Sequence, residues 1–350
     1  MTRSARIILL LTSLTSFSAA AIECGPADPR LFPANPANFS KGETAATWEL
    51  RVDFSVINDP TIELSERERA RSLGTFHVDG REFPVEVSAK GKFRFEECSM
   101  RPLSVKILAD TPFGKKGKKL RLTTVCYRET DWIEQAKRNL LKEYAVNRAV
   151  AELPGPHLAT RLINLRLRTP EGELYLEAPA FLGESDKALA SRCGMRVREE
   201  VVHKWSQEKR TFERFLRQSD GSLRPWDYEY DPEAETRMEF TNRLINNIDF
   251  LVEEDHNVIP LVPENAADRR IFLIPYDFDL SQAAGGTYYA FQGGAAENAK
   301  ALAAWVGGAQ RKEFLDAWPR MRSALESVPL DPQGKKEILE WFGIHARGLE

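Results

Sequence analysis

The stretch that decides how this chain is read begins Asn246-Asn247-Ile248-Asp249, continues with Asp255-His256-Asn257, and ends Ile274-Pro275-Tyr276-Asp277-Phe278-Asp279-Leu280-Ser281. An acid leads into a His-Asn pair, and a short apolar run follows with two aspartates at its end. Carboxylates and an amide in this order suit phosphoryl transfer. One acid orients the acceptor, the amide and the last acid hold Mg²⁺, and the metal offsets charge building on the transferred phosphate. Taken alone, the same residues also fit a plain metal site, a hydrolase pair or a satisfied polar loop.

Working outward, Met238, Thr241, Leu244, Ile245, Ile248, Leu251 and Val252 recur at helical spacing, which predicts a helix that delivers Asp249 near its end. Ile271 to Ile274 reads as a short buried strand in front of the aspartates. Beyond Gly183-Glu184-Ser185 the chain reads as mostly helical. Val201 to Phe215 comes first, then an acidic, aromatic loop from Asp227 to Asp231. Gly285-Gly286 and Gly293-Gly294 flank a connecting segment. Two helices close the chain, Ala301 to Ser327, in which Pro319 kinks or ends a turn, and Gly334 to about Ala346.

The first half reads differently. Residues 22 to 45 are rich in Pro, Ala and Asn and form an extended lead-in. From Trp48 the apolar residues alternate, through Phe54, Thr75 to Val78, Pro84 to Ser88 and Leu103 to Ile107, as in an antiparallel sheet with one buried face. Asp79-Gly80 marks a hairpin. Arg161 to Arg168, Leu174 to Leu176 and Ala178 to Leu182 complete the sheet. Gly91-Lys92 is an ordinary turn or a phosphate-facing loop. Lys106 lies on the face opposite Leu103, Val105 and Ile107, either solvated or reaching nucleotide phosphates. A helix opens at Asp131, with Glu134 in the capping-box position, and runs to about Leu153, where Pro154-Gly155-Pro156 ends it. At 100° per residue Glu143 falls on a face with Ala136, Leu140 and Asn147. A buried carboxylate requires a partner, and pairing Glu143 with Lys106 satisfies both.

Totals set the outer bounds. With 49 Lys and Arg against 52 Asp and Glu, a net charge of -3 argues against nucleic acid as the main partner, and the local basic runs read as solvated surface. Arg3 and Arg6, the apolar run Ile7 to Phe17 and Ser18-Ala19-Ala20-Ala21 form a signal peptide cleaved after Ala21. The mature chain is then exported, periplasmic or extracellular, without stable membrane insertion, since no later apolar run approaches about 18 residues. Four cysteines suit an oxidising compartment and allow three pairings, of which Cys98-Cys126 with Cys24-Cys193 is favoured.

In this order the motifs resemble the CotH (spore coat protein H) family of atypical secreted kinases. The matching stretches are Gly91-Lys92, Arg101-Pro102-Leu103-Ser104-Val105-Lys106-Ile107, Lys119-Leu120-Arg121-Leu122, Leu141-Lys142-Glu143-Tyr144, Phe181-Leu182-Gly183-Glu184 and Ile274-Pro275-Tyr276-Asp277-Phe278-Asp279. The resemblance implies an α+β, two-lobed protein-kinase-like fold. Residues 22–182 would be an antiparallel, sheet-rich N-lobe with one helix, and residues 183–350 a helical C-lobe carrying the acids. It implies ATP with Mg²⁺ or Mn²⁺, and a protein acceptor. Lys106 would meet the phosphates, oriented by Glu143, beside the Gly91-Lys92 loop, with the Glu184 region around the adenine. Asp249 would be the catalytic acid, Asn257 and Asp277 the metal ligands, and Asp279 a second ligand or a structural support. Three features depart from the pattern. Eight residues separate Asp249 from Asn257, so Asp255 competes for the acid's role; Gly-Lys stands for Gly-Asn; and no His-Arg-Asp is present. A non-catalytic envelope-binding or assembly module of the same fold is the alternative. A carboxylate hydrolase using Asp249 and Asp277 is the third reading.

Overall fold

A computed structural model describes residues 22, 24–29, 31–32, 45–90, 93–111, 114–206, 211–250, 256–265, 267–285 and 294–350. The expected signal peptide (residues 1–21), Gly91, Lys92, Asp255, Gly286 and Gly293 lie outside the described residues. The fold class is α+β.

The alternation that starts at Trp48 builds a barrel rather than an open sheet. Its strands are β1 (Ala46–Arg51), β2 (Arg71–Val78), β3 (Arg81–Ala89), β4 (Leu103–Ile107), β5 (Lys119–Thr123), β6 (Thr160–Arg168) and β7 (Leu174–Gly183). They close in the order β1-β2-β3-β4-β5-β7-β6. All neighbours are antiparallel except β1 and β6, which run parallel with Leu50 opposite Leu167. That closing pair corrects the antiparallel reading, because hairpin signals mark only strands adjacent in sequence. Asp79 and Gly80 both take positive φ, +49° and +74°, as a two-residue hairpin between β2 and β3 needs. Trp48, Leu50, Phe76, Val87, Val105 and Leu122 are among the side chains buried in the main core.

Two short helices, α1 (Phe54–Ile57) and α2 (Phe93–Glu97), are held against the barrel by one buried cation. Arg101 donates to the carbonyls of Phe95 (3.0 Å), Ile57 (3.1 Å) and Ile62 (3.3 Å) and stacks on Phe95. Three carbonyls satisfy the donors that burial takes from water, so this arginine works as a fastener. Helix α3 (Ile133–Val150) packs on β6 and β7, with Tyr144 against Phe181 at 5.8 Å between ring centres. The expected capping box does not form. Residues Thr130–Trp132 make a 3₁₀ turn instead, Trp132 is the N-cap, and the helix ends three residues before Leu153.

The second half holds α4 (Asp186–Arg192), β8 (Met195–Val197), β9 (Val201–Ser206), β10 (Thr211–Arg217), β11 (Leu223–Pro225), β12 (Glu229–Tyr230), α5 (Pro232–Ile245), β13 (Val258–Pro263), β14 (Arg270–Pro275), α6 (Ala295–Trp305), α7 (Gly308–Ser327) and α8 (Pro332–Leu349). The helix expected over Val201 to Phe215 is an antiparallel pair, β9 with β10, Val202 opposite Phe215. Val201-Val202 and Thr211 are β-branched, and neither run is long enough to fix a helical period against that preference. Residues 183–350 are therefore not simply helical. They contain the sheets β11-β10-β9 and β12-β14-β13-β8. The chain's end carries three helices rather than two, because Val306 and Gly307 leave helical geometry, while Pro319 stays inside α7.

Both favoured disulfides are present, Cys24–Cys193 and Cys98–Cys126. They fit an exported protein in an oxidising compartment. No helix among the described residues is long and apolar enough to cross a membrane.

One buried histidine makes stability depend on pH. His345 on α8 is fully buried, with Nδ1 2.8 Å from the Trp341 carbonyl and Nε2 2.9 Å from the Asn298 amide nitrogen. The first contact needs N–H on Nδ1, and the second needs a bare Nε2, so the ring is held neutral. Burial pushes its pKa below the ordinary 6.5, and half-buried His157 shifts the same way, with desolvation again the first cause. Below pH 6.5 the unfolded chain therefore binds more protons than the folded one. The contribution is complete above that value and is lost as pH falls through the lower folded pKa. Denaturant titrations between pH 7.5 and 5 should show stability falling by up to about 1.4 kcal/mol per pH unit for each such group. His345→Gln should flatten the slope.

Candidate functional site at the end of a hairpin

The site is assembled by backbone turns that asparagine and aspartate tolerate. Helix α5 starts on Asp231, whose carboxylate accepts from the Ala234 N–H at 3.0 Å, and stops at Asn246, which takes φ +50°. The expectation that the helix itself delivers Asp249 is thus corrected. The left-handed residue ends the helix, and Asp249 follows three positions later in irregular chain. Asn247 steadies that segment: its Nδ2 donates to Asn242 Oδ1 at 2.9 Å, and its Oδ1 accepts from the Asp249 N–H at 3.3 Å.

Asp249 then meets both residues of the His-Asn pair. Its Oδ1 lies 3.0 Å from His256 Nε2, and its Oδ2 accepts from Asn257 Nδ2 at 2.9 Å. The same Nδ2 reaches the Asp249 carbonyl at 2.6 Å. Asn257, at φ +56°, leads directly into β13. Because β13 pairs antiparallel with β14, Val258 opposite Pro275, the start of one strand sits beside the end of the other. The Asn257 carbonyl accepts from the Tyr276 N–H at 3.0 Å, and Asp277 follows at φ +60°. Register alone brings Asn257 and the Asp277 turn to one end of the hairpin. Phe278 anchors the next turn in the main core, and Gln282 and Ala283 donate to the carbonyls of Asn246 and Ile245 at 3.3 and 3.2 Å. Asp279, half-buried, follows Phe278 in this turn.

Among the described residues, the non-glycine residues with positive φ are Asp79, Asn246, Asn257 and Asp277. Asp79 belongs to a hairpin; Asn257 contacts Asp249, Asn246 precedes that acid by three residues, and Asp277 follows the residue that Asn257 binds by backbone. Left-handed backbone costs about 1–2 kcal/mol for most residues, less for Asn and Asp, and its clustering in one place is a mark of a functional site.

No family model matches this sequence, and no curated protein does either.

The remaining expected residues are distributed as follows. Lys106 does not pair with Glu143. Its Nζ lies 3.5 Å from Glu86 Oε1, the residue directly across on β3. Strand β5 separates β4 from β7, and Glu143 is buried on α3, which packs on β6 and β7. The Lys106–Glu86 pair is partly exposed and worth at most about 1 kcal/mol. Glu184 is buried, with both carboxylate oxygens 3.0 Å from Arg192 Nε and Oε2 accepting from the Ala159 N–H at 3.3 Å. Burial pushes its pKa up even though Arg192 opposes the shift. Its own N–H donates to the Ala159 carbonyl at 2.9 Å, so Glu184 fastens the β7–α4 junction by side chain and backbone alike.

Three residues at the site carried no assigned role in the sequence reading. His256 orients Asp249. Tyr276 lies under Arg121, whose guanidinium carbon is 4.4 Å from the ring centre. Arg121 also pairs with Asp186 on α4. The polar alternation Lys119, Arg121 was visible in the sequence, but which strand β5 would neighbour was not.

Among the described residues no group of three or more His, Cys, Asp or Glu could by itself hold a metal ion. With its Nδ2 committed to Asp249, Asn257 keeps Oδ1 as an oxygen group, and Asp277 carries a carboxylate one residue beyond the Tyr276 N–H that Asn257 binds. Mg²⁺ takes oxygen ligands of this kind.

Proposed function

We propose that this chain is an exported phosphotransferase of kinase-like, two-lobed architecture that moves the γ-phosphoryl group of ATP to a protein acceptor. The observation that supports this most is the contact of Asp249 with Asn257 and the pairing of Asn257 with the strand end that leads into Asp277, with Asn246, Asn257 and Asp277 all in left-handed geometry. In this reading Asp249 orients the acceptor hydroxyl and accepts its proton, and His256 and Asn257 hold the carboxylate in place. Asn257 Oδ1 and Asp277 hold the divalent ion, with Asp279 as its support. Bound there, Mg²⁺ or Mn²⁺ would neutralise charge on the phosphates. With Asp249 pinned by two side chains, orientation is provided before the substrate arrives, which is the main contribution such a site makes to the rate.

The alternative is a non-catalytic binding or assembly module on the same fold. The engagement of Lys106 with Glu86 and of the Glu184 N–H with Ala159 favours it, because both groups are committed within the protein. Ligand-induced stabilisation separates the two readings. A ligand at about 100 times its Kd adds about 2.7 kcal/mol to the native state, so MgATP should raise the unfolding midpoint by several degrees. No shift with ATP and either Mg²⁺ or Mn²⁺ would contradict the proposal.

A further inference from the structure

We infer that the polar face of β5 is a binding site for a condensed phosphate chain, with Arg121 as its central contact. Four observations carry this inference. First, Lys106 and Lys119 stand directly opposite each other on β4 and β5. Like charges facing across a strand pair are unfavourable; Glu86 offsets Lys106, whereas Lys119 makes no ion pair with any described residue. Second, Arg121 shares that face two residues along, so three cations line one stripe.

Third, the Arg121 guanidinium is positioned by its surroundings and still incompletely used. One terminal nitrogen, Nη2, pairs with Asp186, and the plane stacks on Tyr276. The other, Nη1, is buried and has no hydrogen-bond partner among the described residues. A buried cationic donor left without an acceptor is costly and calls for an explanation. For the one nitrogen left over beside the Asp186 pair, a phosphoryl oxygen would be a charge-assisted acceptor. Fourth, the neighbouring strand is shaped around this side chain. Gly183 lies opposite Arg121 on β7, and a Cβ there would come 2.8 Å from Arg121 Cδ and 3.1 Å from Cγ. Only glycine lets the arginine lie flat across β7.

Lys118, Lys119 and Arg121 line a cleft of 250 Å³ together with Gly183, Ser185 and Asp28. Glu184 also lines it but is taken up by Arg192. Through Tyr276 the stripe adjoins the Asp277 turn, so a chain of phosphates lying along β5 would end beside the proposed metal ligands. This last point rests on the proposed function; the anion site itself does not.

The test uses isothermal titration of the full mature protein with inorganic tripolyphosphate and, separately, with MgATP. Arg121→Gln should weaken tripolyphosphate binding at least about 10-fold, and Lys119→Gln should weaken it by less. Lys106→Gln, a comparator whose cation is already paired, should change it least. Circular dichroism of each variant checks folding, and Arg121→Lys supplies a second variant that keeps the charge and loses the fork. Binding of tripolyphosphate but not MgATP, lost in Arg121→Gln, would support the anion site and sink the phosphotransferase reading. Tripolyphosphate binding unchanged in a folded Arg121→Gln protein would overturn this inference, and MgATP binding by that same protein would leave the phosphotransferase reading intact. Failure of wild type to bind either ligand would overturn both.

Discussion

Asp277→Asn should lower phosphoryl transfer by roughly 10²–10³-fold, the loss usual when one group stabilising transition-state charge is removed, while leaving the fold intact. The choice of asparagine matters. Asp277 sits at φ +60°, where Asn is tolerated and Ala is strained, so an alanine variant would mix a backbone cost with the loss of charge. Asparagine keeps an oxygen donor in place and removes only the negative charge that a divalent ion needs. Thermal unfolding of the variant without ligand should match wild type to within a degree or two, and stabilisation by MgATP should disappear. Phe278 next to it is buried in the main core, so a variant whose unfolding midpoint falls by many degrees would have disturbed that anchor and would report on packing instead.

The second large effect concerns stability. Cys24–Cys193 closes a sequence separation of 169 residues and ties the lead-in segment to α4. The Gly25 N–H donates to the Arg192 carbonyl at 2.8 Å, and Arg192 Nη1 returns a bond to the Gly25 carbonyl at 3.1 Å. Phe32, further along the same segment, is buried in the main core. Loop-closure entropy for so long a loop is about 5 kcal/mol, and removal of native disulfides usually costs about 2–5 kcal/mol. The pair Cys24→Ser with Cys193→Ser should therefore lose stability in that range in urea. The separation of 28 residues at Cys98–Cys126 makes the corresponding loss there smaller. Equal stability of the serine pair and wild type would mean that the segment contributes nothing to the folded state.

How far the sequence carried can be judged residue by residue. Period-two alternation located the strands around Trp48, Val87 and Val105, because a strand with one buried face writes its pattern in adjacent residues. The parallel closure of β1 on β6 was invisible, since no local signal links residues more than a hundred positions apart. The hairpin β9–β10 read as a helix because its strands are short and strongly charged, which blurs the difference between the two periods. At the site, Asp249, His256, Asn257 and Asp277 were legible as residue types in order, and antiparallel register does the rest by bringing Asn257 to Tyr276. Lys106 and Glu143 were paired by matching two apparent misfits, a logic that ignores which strands the helix covers. The same logic passed over Arg121, whose role depends on Gly183 and Tyr276, one on a neighbouring strand and one more than 150 residues away.

The most direct measurement of the central claim is transfer of label from γ-labelled ATP by purified mature protein with Mg²⁺ or Mn²⁺, followed on gels and by phosphopeptide mapping. Label should accumulate in protein, require the metal, and vanish in Asp277→Asn and Asp249→Asn. A wild-type protein that is folded, with both disulfides formed, and that neither binds ATP nor transfers label with either metal would contradict the phosphotransferase account.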